Sequence, residues 1–353
     1  MVPAIAVADA LRAEGADVAF VGGERAEAQL VPAAGYPLRT LRVHGISRSN
    51  PLEAARAVLT AAAAIGAARR ILARLEADVV LGGGGYVAGP VGLAAVLRGT
   101  PLVLAEADSH LGLANRLLAG RARRVCLAFP IPGREGARYL VTGRAVPPTV
   151  TDRAAARGQF GIGESETCVL VFGGSLGARS LNRAAPAAFA DAPYRVLHVA
   201  GARDYEQLRA PGPHYVLREY VMPFGVALAA ADLAVARAGG SVFELAQYGL
   251  PAILVPYPHA SADHQTSNAR WMADRGAALV LPDAELTPAR LRAEVDALVA
   301  DRDRRAAMAR ASAALARPDA AAAIAREVLE AARGAAPGAP RPWTWPGVNR
   351  SRP

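Results

Sequence analysis

ADLAVARAGGSVFELAQYGLPAILVPYPHASADHQTSNARW, residues Ala231 to Trp271, decides the fold of this chain. A short apolar run, Leu233–Ala236, ends at Arg237 and a glycine turn, Ala238-Gly239-Gly240. Ser241 opens an amphipathic helix carrying Glu244 and Leu245, and Gly249-Leu250-Pro251 stops it. Ala252–Val255 is a second buried strand, and the polar loop from Pro256 to Asp263 leads into a helix with His264, Gln265 and Asn268. This order of strand, glycine turn, helix, strand, loop and helix is a βαβ unit with its loops on the carboxyl edge of a sheet. Open α/β sheets bind ligands at that edge. Bare N–H groups at a glycine turn before a helix suit a phosphate. A carboxylate one turn into the helix suits a ribose diol, because it accepts from two hydroxyls. An ordinary crossover with turn glycines accounts for the same pattern.

The same alternation extends in both directions. Pro3 to Glu14 is an amphipathic helix, Asp17–Val21 a strand ending at Gly22-Gly23, and Pro37–Val43 another strand. A long alanine-rich helix spans Pro51–Leu75, and the strand Asp78–Leu81 runs into Gly82 to Gly85 and Tyr86. A helix follows from about Ala88 to Leu97, then a strand at Pro101–Leu104 and a loop from Glu106 to His110. Thr142 to Thr151, with Pro147-Pro148, reads as a linker. The pattern then begins again with a strand at Thr167–Phe172, a turn from Gly173 to Gly177 and a helix at Ala178–Phe189. Strands at Tyr194–Val199 and His214–Leu217 have a helix between them. The fold class is therefore α/β, with two Rossmann-like doubly wound domains at 1–147 and 148–333. The proline-rich tail, 334–353, has no apolar period and is expected to be disordered.

Composition narrows the function classes. Hydrophobic residues make up 52% of the 353, enough for a large core. No apolar run reaches the roughly 20 residues of a membrane span. Cys126 and Cys168 lie far apart in apolar runs and read as buried free thiols, not a disulfide framework or a metal site. The net charge is +9, yet the chain has no lysine, and its arginines are spread without exposed aromatics among them. That disfavours nucleic acid and fits a basic face for an anionic membrane or a diphosphate. Neither half has G-x-G-x-x-G followed by an acidic residue about 20 positions on, which disfavours a nicotinamide dehydrogenase. A P-loop is impossible without lysine, and no metal-binding pattern occurs, so no metal or other cofactor is expected.

Several segments together carry a family resemblance. GGGGYVAGP (Gly82–Pro90), EADSHLGLANRLLA (Glu106–Ala119), FGGSLGARSLN (Phe172–Asn182), REYV (Arg218–Val221), RAGGSVFELAQYGLP (Arg237–Pro251) and HASADHQTSNA (His259–Ala269) occur in this order. The chain resembles the MurG family, N-acetylglucosaminyltransferases that complete the lipid-linked precursor of peptidoglycan, from about Val2 to Arg333. The resemblance implies GT-B architecture and an inverting transfer of N-acetylglucosamine from UDP-N-acetylglucosamine. The implied acceptor is the undecaprenyl-linked muramyl pentapeptide, at the cytoplasmic face of the cell membrane, in a step on which cell wall, cell shape and division depend. Ser175 and neighbouring N–H groups would hold the diphosphate, Tyr220 and Val221 would flank the uracil, and Glu244 would accept from the ribose. Gln265, with His264, would read the sugar hydroxyls. Gly84, Gly85, Tyr86, Asp108 and Asn115 would lie on the acceptor side.

Plainer roles stand beside these: an N-cap for Ser175, core for Tyr220, a solvated helix position for Glu244, a surface site for His264 and a loop role for Asp108. The chain carries Ala107 and Asp108 where the family usually has Gln and Asn. The family's first strand and its Gly-rich, His-bearing loop have no counterpart before Val2-Pro3, so the first strand is expected to be missing, and with it the candidate histidine base. Leu52, Val58, Leu59 and Ile65, among Arg48, Arg56, Arg69 and Arg70, suit a peripheral contact with an anionic membrane. A core helix with solvated arginines fits them equally. Two other functions stay open: a related glycosyltransferase with another acceptor, and an inactive nucleotide-sugar-binding protein.

Overall fold

The computed structural model describes residues 1–24, 26–41, 51–174, 176–260 and 263–334, with the backbone alone for 51–61. It divides into two units, Met1–Ala145 with Asp319–Pro353, and Val146–Pro318.

The second unit holds α6 (Arg153–Gly158), β7 (Cys168–Phe172), α7 (Arg179–Ala188), β8 (Arg195–Val199) and β9 (Tyr215–Arg218). It continues with α8 (Gly225–Ala230), β10 (Leu233–Ala236), α9 (Ser241–Gln247), β11 (Ala252–Leu254), α10 (His264–Ala273), β12 (Ala278–Val280), α11 (Pro288–Ala300) and α12 (Arg302–Ala314). Its six strands are all parallel, in the order β12-β11-β10-β7-β8-β9. Counted from β7, that is the 3-2-1-4-5-6 order of a dinucleotide-binding sheet. The chain steps outward through β8 and β9, crosses back, and steps outward again from β10. The reversal falls between β7 and β10, the point where such sheets bind ligands. Every residue of CVLVF in β7 and of LAVA in β10 is buried, as parallel strands covered on both faces require. Val169, Val171, Leu181, Phe189, Leu233 and Val235 share one core cluster. Full burial of such side chains contributes roughly 1.5–3 kcal/mol each.

The first unit holds α1 (Val2–Ala13), β1 (Phe20–Gly22), α2 (Ala26–Ala33), β2 (Leu38–Thr40), α3 (Pro51–Arg74) and β3 (Val80–Gly82). α4 (Gly85–Arg98), β4 (Leu102–Glu106), α5 (Leu113–Leu118), β5 (Arg124–Leu127) and β6 (Tyr139–Val141) follow. Its strands form two parallel sheets, a pair β1-β2 and a run β3-β4-β5-β6.

Three expectations change. The final helix, α13 (Ala320–Arg333), belongs to the first unit and not to a domain running 148–333. Its apolar face, Ile324, Ala325 and Val328, clusters with Val7 and Leu11 of α1, Val103 of β4 and Cys126 of β5. Arg124 of β5 fixes the helix further through a 2.7 Å contact with Glu327. Between β8 and β9 there is only one 3₁₀ turn, Tyr205–Gln207, in place of a helix. Gly201 there adopts φ +74°, Asp204 is engaged by Asn182 and Arg179, and Pro211-Gly212-Pro213 disfavours a helix in the rest of the segment. α4 starts at Gly85, earlier than the glycine run suggested, because Gly84 and Gly85, both at φ +81°, complete the turn by themselves.

Cys126 and Cys168 are free and buried, and burial pushes both thiols up to about 12. The expected tail lies outside the described residues, as do Arg48 and the side chains of Leu52, Arg56, Val58 and Leu59.

Candidate donor and acceptor sites

The donor-side candidates sit on the carboxyl edge of the second unit's sheet. The loop leaving β7 is built so that only glycine fits at its base. A Cβ on Gly173 would lie 2.3 Å from the Ala178 Cβ, and one on Gly177, at φ +75°, would lie 1.9 Å from the Ala200 carbonyl oxygen. α7 then begins at Arg179, and its N-cap Ala178 offers no side-chain cap, so this helix N-terminus suits an anion. Ser175 lies outside the described residues.

The loop leaving β10 is fixed by Arg237, which is buried. Its Nη1 donates to the Val255 and Pro256 carbonyls, both at 3.1 Å, and pairs with Asp283 Oδ1 at 2.6 Å. Its Nη2 donates to Ser180 Oγ at 2.7 Å, and Ser180 donates on to Asp283. Arg237 therefore ties the end of β10 to α7, to the loop after β11 and to the 3₁₀ turn Asp283–Glu285. In the glycine turn itself, Ser241 Oγ donates back to the Arg237 carbonyl at 3.3 Å. Buried Asn268 donates to the Ala238 carbonyl at 3.0 Å, while its Oδ1 has no partner among the described residues.

Gln265 accepts from the Tyr257 N–H at 3.0 Å, and its Nε2 lies 4.0 Å from where a Gly239 Cβ would stand. Glu244, in the first turn of α9, and His264, at the start of α10, are half-buried. The structure thus gathers Gln265 and the Gly239 turn on one side of the strand reversal, with Glu244 on the adjoining helix. Tyr220, 45% exposed, and half-buried Val221 follow β9, which β8 and β7 separate from β10.

A buried polar network under the β7 loop was not anticipated. Asn182 Nδ2 donates to the Ala200 carbonyl at 2.9 Å and to Asp204 Oδ2 at 3.0 Å. Its Oδ1 must then accept, so His198 Nε2, 3.0 Å away, carries the proton. His198 Nδ1 in turn accepts from the Tyr215 hydroxyl at 2.7 Å. The available signal was a histidine inside the apolar strand RVLHV, since a buried polar side chain has to find partners. Burial lowers the His198 pKa from 6.5 to about 4. Between those values the unfolded chain binds a proton that the folded chain does not, so stability present above pH 6.5 is lost as pH falls toward 4. Denaturant titrations should show roughly 3 kcal/mol lost through that window on this account. His198→Gln should remove that component, and an unchanged pH slope in the variant would refute the assignment.

On the acceptor side, the Gly82–Gly85 loop ends β3, and a Cβ on Gly82 would lie 2.9 Å from Leu104 Cδ2. Gly84 precedes α4 without a side-chain cap, and Tyr86 is exposed. The Tyr86 hydroxyl packs against Gly23, whose N–H donates to Glu27 Oε1 at 2.8 Å. Glu106, buried at the end of β4, organises the next loop. It accepts from Asp108 N at 3.1 Å, Gly112 N at 2.8 Å and Asn115 Nδ2 at 2.9 Å. Asn115 also donates to the Ala105 carbonyl and is almost fully buried, so its side chain braces the loop from inside; Asp108 is half-buried in the loop. Sequence places Glu106 only at the start of a loop; its role as the loop's common acceptor depends on contacts with residues two to nine positions on.

Comparison with known proteins gives a consistent result. Residues 1–127 match the glycosyltransferase family 28 N-terminal domain, and residues 168–324 match the family 28 C-terminal domain. The UDP-N-acetylglucosamine--N-acetylmuramyl-(pentapeptide) pyrophosphoryl-undecaprenol N-acetylglucosamine transferase of Moorella thermoacetica is 40% identical, covering 93% of this chain and 95% of its own. The transferase of the same name from Alkalilimnicola ehrlichii is 44% identical, covering 94% and 95%. The crystal structure of Acinetobacter baumannii MurG superposes with a TM-score of 0.74 at 29% identity, over 93% of this chain and 95% of that one. A calicheamicin glycosyltransferase, at 20% identity and a TM-score of 0.67, shares the fold.

Proposed function

The chain belongs to the MurG family within glycosyltransferase family 28, and on that premise we propose that it transfers N-acetylglucosamine from UDP-N-acetylglucosamine to the undecaprenyl-linked muramyl pentapeptide of peptidoglycan synthesis. The observation that carries this reading is the pair of glycine turns, after β7 at Gly173, Gly174 and Gly177 and after β10 at Ala238–Gly240, on either side of the strand reversal, with Gln265 beside the second and Glu244 on the helix that follows it. The N–H groups opening α7 receive the donor's diphosphate and stabilise the charge that grows on it as UDP departs. Glu244 accepts from the ribose hydroxyls, Gln265 and His264 read the sugar, and Tyr220 and Val221 bound the uracil. A general base takes the proton from the acceptor hydroxyl, which attacks the anomeric carbon with inversion. The Gly82–Gly85 loop, Tyr86 and the Glu106-braced loop bearing Asp108 meet the acceptor.

Calorimetry tests the donor half. UDP should bind, and Glu244→Ala should weaken it by roughly 1–3 kcal/mol, the scale of a charged hydrogen bond. UDP affinity unchanged by the substitution would remove Glu244 from the site.

We further infer that the first unit rests on the cytoplasmic membrane face. Among the described residues no helix is long and apolar enough to cross a membrane. Leu113 and Leu117, one turn apart on α5, are 55% and 71% exposed, with Arg116 exposed between them. Exposed apolar side chains beside arginines suit an anionic surface. Co-sedimentation with vesicles should therefore require anionic lipid and weaken with salt. Equal binding to neutral vesicles would count against it.

A further inference from the structure

The network beneath the β7 loop is buried too deeply to touch a substrate, yet it is directional from end to end. Tyr215 gives its proton to His198, His198 gives one to Asn182, and Asn182 gives both of its protons away. The recipients are what matter. One is the Ala200 carbonyl, the atom that a Gly177 Cβ would strike, and the Asn182 amide itself would lie 3.1 Å from that Cβ. Beside it, a Cβ on Gly201 would stand 2.2 Å from Gly177 N and 2.7 Å from the Leu176 carbonyl carbon. The backbone at 200–201 is thus pressed flat against 176–177, and no side chain cushions the contact. The other recipient, Asp204, is further held by Arg179 in the first turn of α7, at 3.5 Å. Ala200 N donates to the Arg218 carbonyl and Gly201 N to the Glu219 carbonyl, the residue before Tyr220.

We propose that Tyr215, His198 and Asn182 are positioning residues for the donor diphosphate: they fix the Ala200–Gly201 backbone, which sets the height of the glycine loop at Gly177. This rests on the reading that the loop receives the diphosphate. An anion held by backbone N–H groups depends on their placement to about 0.5 Å. Apolar packing alone leaves the Ala200 carbonyl free to tilt, whereas a hydrogen bond from a side chain with fixed partners does not.

The test compares UDP with uridine, because a displaced loop harms the diphosphate and spares the nucleoside. His198→Leu removes both ring hydrogen bonds, whereas His198→Gln supplies one donor and one acceptor in their place. UDP affinity by calorimetry should fall at least fivefold in His198→Leu and recover to within twofold of wild type in His198→Gln. Uridine affinity by NMR titration should change less than twofold in either variant. Should His198→Leu fail to fold, Tyr215→Phe, which removes a single hydroxyl, should still lower UDP affinity more than uridine affinity. Equal losses for UDP and uridine, or a His198→Gln as weak as His198→Leu, would overturn the proposal. So would undiminished UDP affinity in a folded His198→Leu. Wild-type protein that does not bind UDP at all would instead overturn the donor reading on which the proposal rests.

Discussion

Gly177→Ala should abolish measurable UDP binding and lower the folding free energy by about 2–5 kcal/mol. Two costs add. Alanine at φ +75° pays roughly 1–2 kcal/mol for a left-handed backbone. The new methyl would also lie 1.9 Å from the Ala200 carbonyl oxygen, and that oxygen is pinned by Asn182 and cannot move aside. Relieving such overpacking typically costs a further 1–3 kcal/mol or so. Gly174 provides the internal comparison, since it has φ +88° but nothing within 4 Å of a Cβ. Gly174→Ala should therefore show only the backbone cost. Denaturant titration of both variants separates the two contributions. Equal destabilisation of the pair would mean that the approach of Ala200 to Gly177 carries no weight.

Arg237→Ala should be comparably damaging, at about 2–4 kcal/mol, somewhat below the range for breaking a fully buried ion pair because the Asp283 side chain is 22% exposed and keeps its bond from Ser180. The loss leaves Asp283 without its charged partner at 2.6 Å, removes the donor to Ser180 Oγ, and strips the Val255 and Pro256 carbonyls of a donor. Lysine offers a point charge in place of a planar fork, so Arg237→Lys should recover less than half of the loss. The stranded carboxylate is the main cost, so adding Asp283→Ala to Arg237→Ala should restore part of the stability. A double variant no more stable than the single would show that the lost carbonyl contacts dominate instead.

The parts of the molecule legible in the sequence are those that local pattern determines. CVLVF and LAVA announce parallel strands because both faces are covered, and glycine turns after them mark the carboxyl edge. The motif resemblance named the family. Local pattern says less about partners. The amphipathic face of α13 shows that the helix is covered, but the choice of α1, β4 and β5 as its cover depends on shapes distant in sequence. His198 shows only that it needs partners, whereas Asn182, Asp204 and Tyr215 converge on it or its neighbour from three other segments. Arg237 stood inside a quoted motif, yet its junction with Ser180 and Asp283 joins residues 57 and 46 positions away, counted as 237 − 180 and 283 − 237. Asn115 read as an acceptor-side contact and proves to be the internal brace of its loop, because Glu106 behind it needs a donor.

A product assay tests the proposed transfer. Wild-type protein is supplied with UDP-N-acetylglucosamine labelled in the sugar and with undecaprenyl-pyrophosphoryl muramyl pentapeptide in anionic vesicles. A lipid-linked disaccharide joined by a β-glycosidic bond should form one for one with released UDP, and should not form in Gly177→Ala. UDP binding without formation of that disaccharide, or label passing only to a different acceptor, would contradict it.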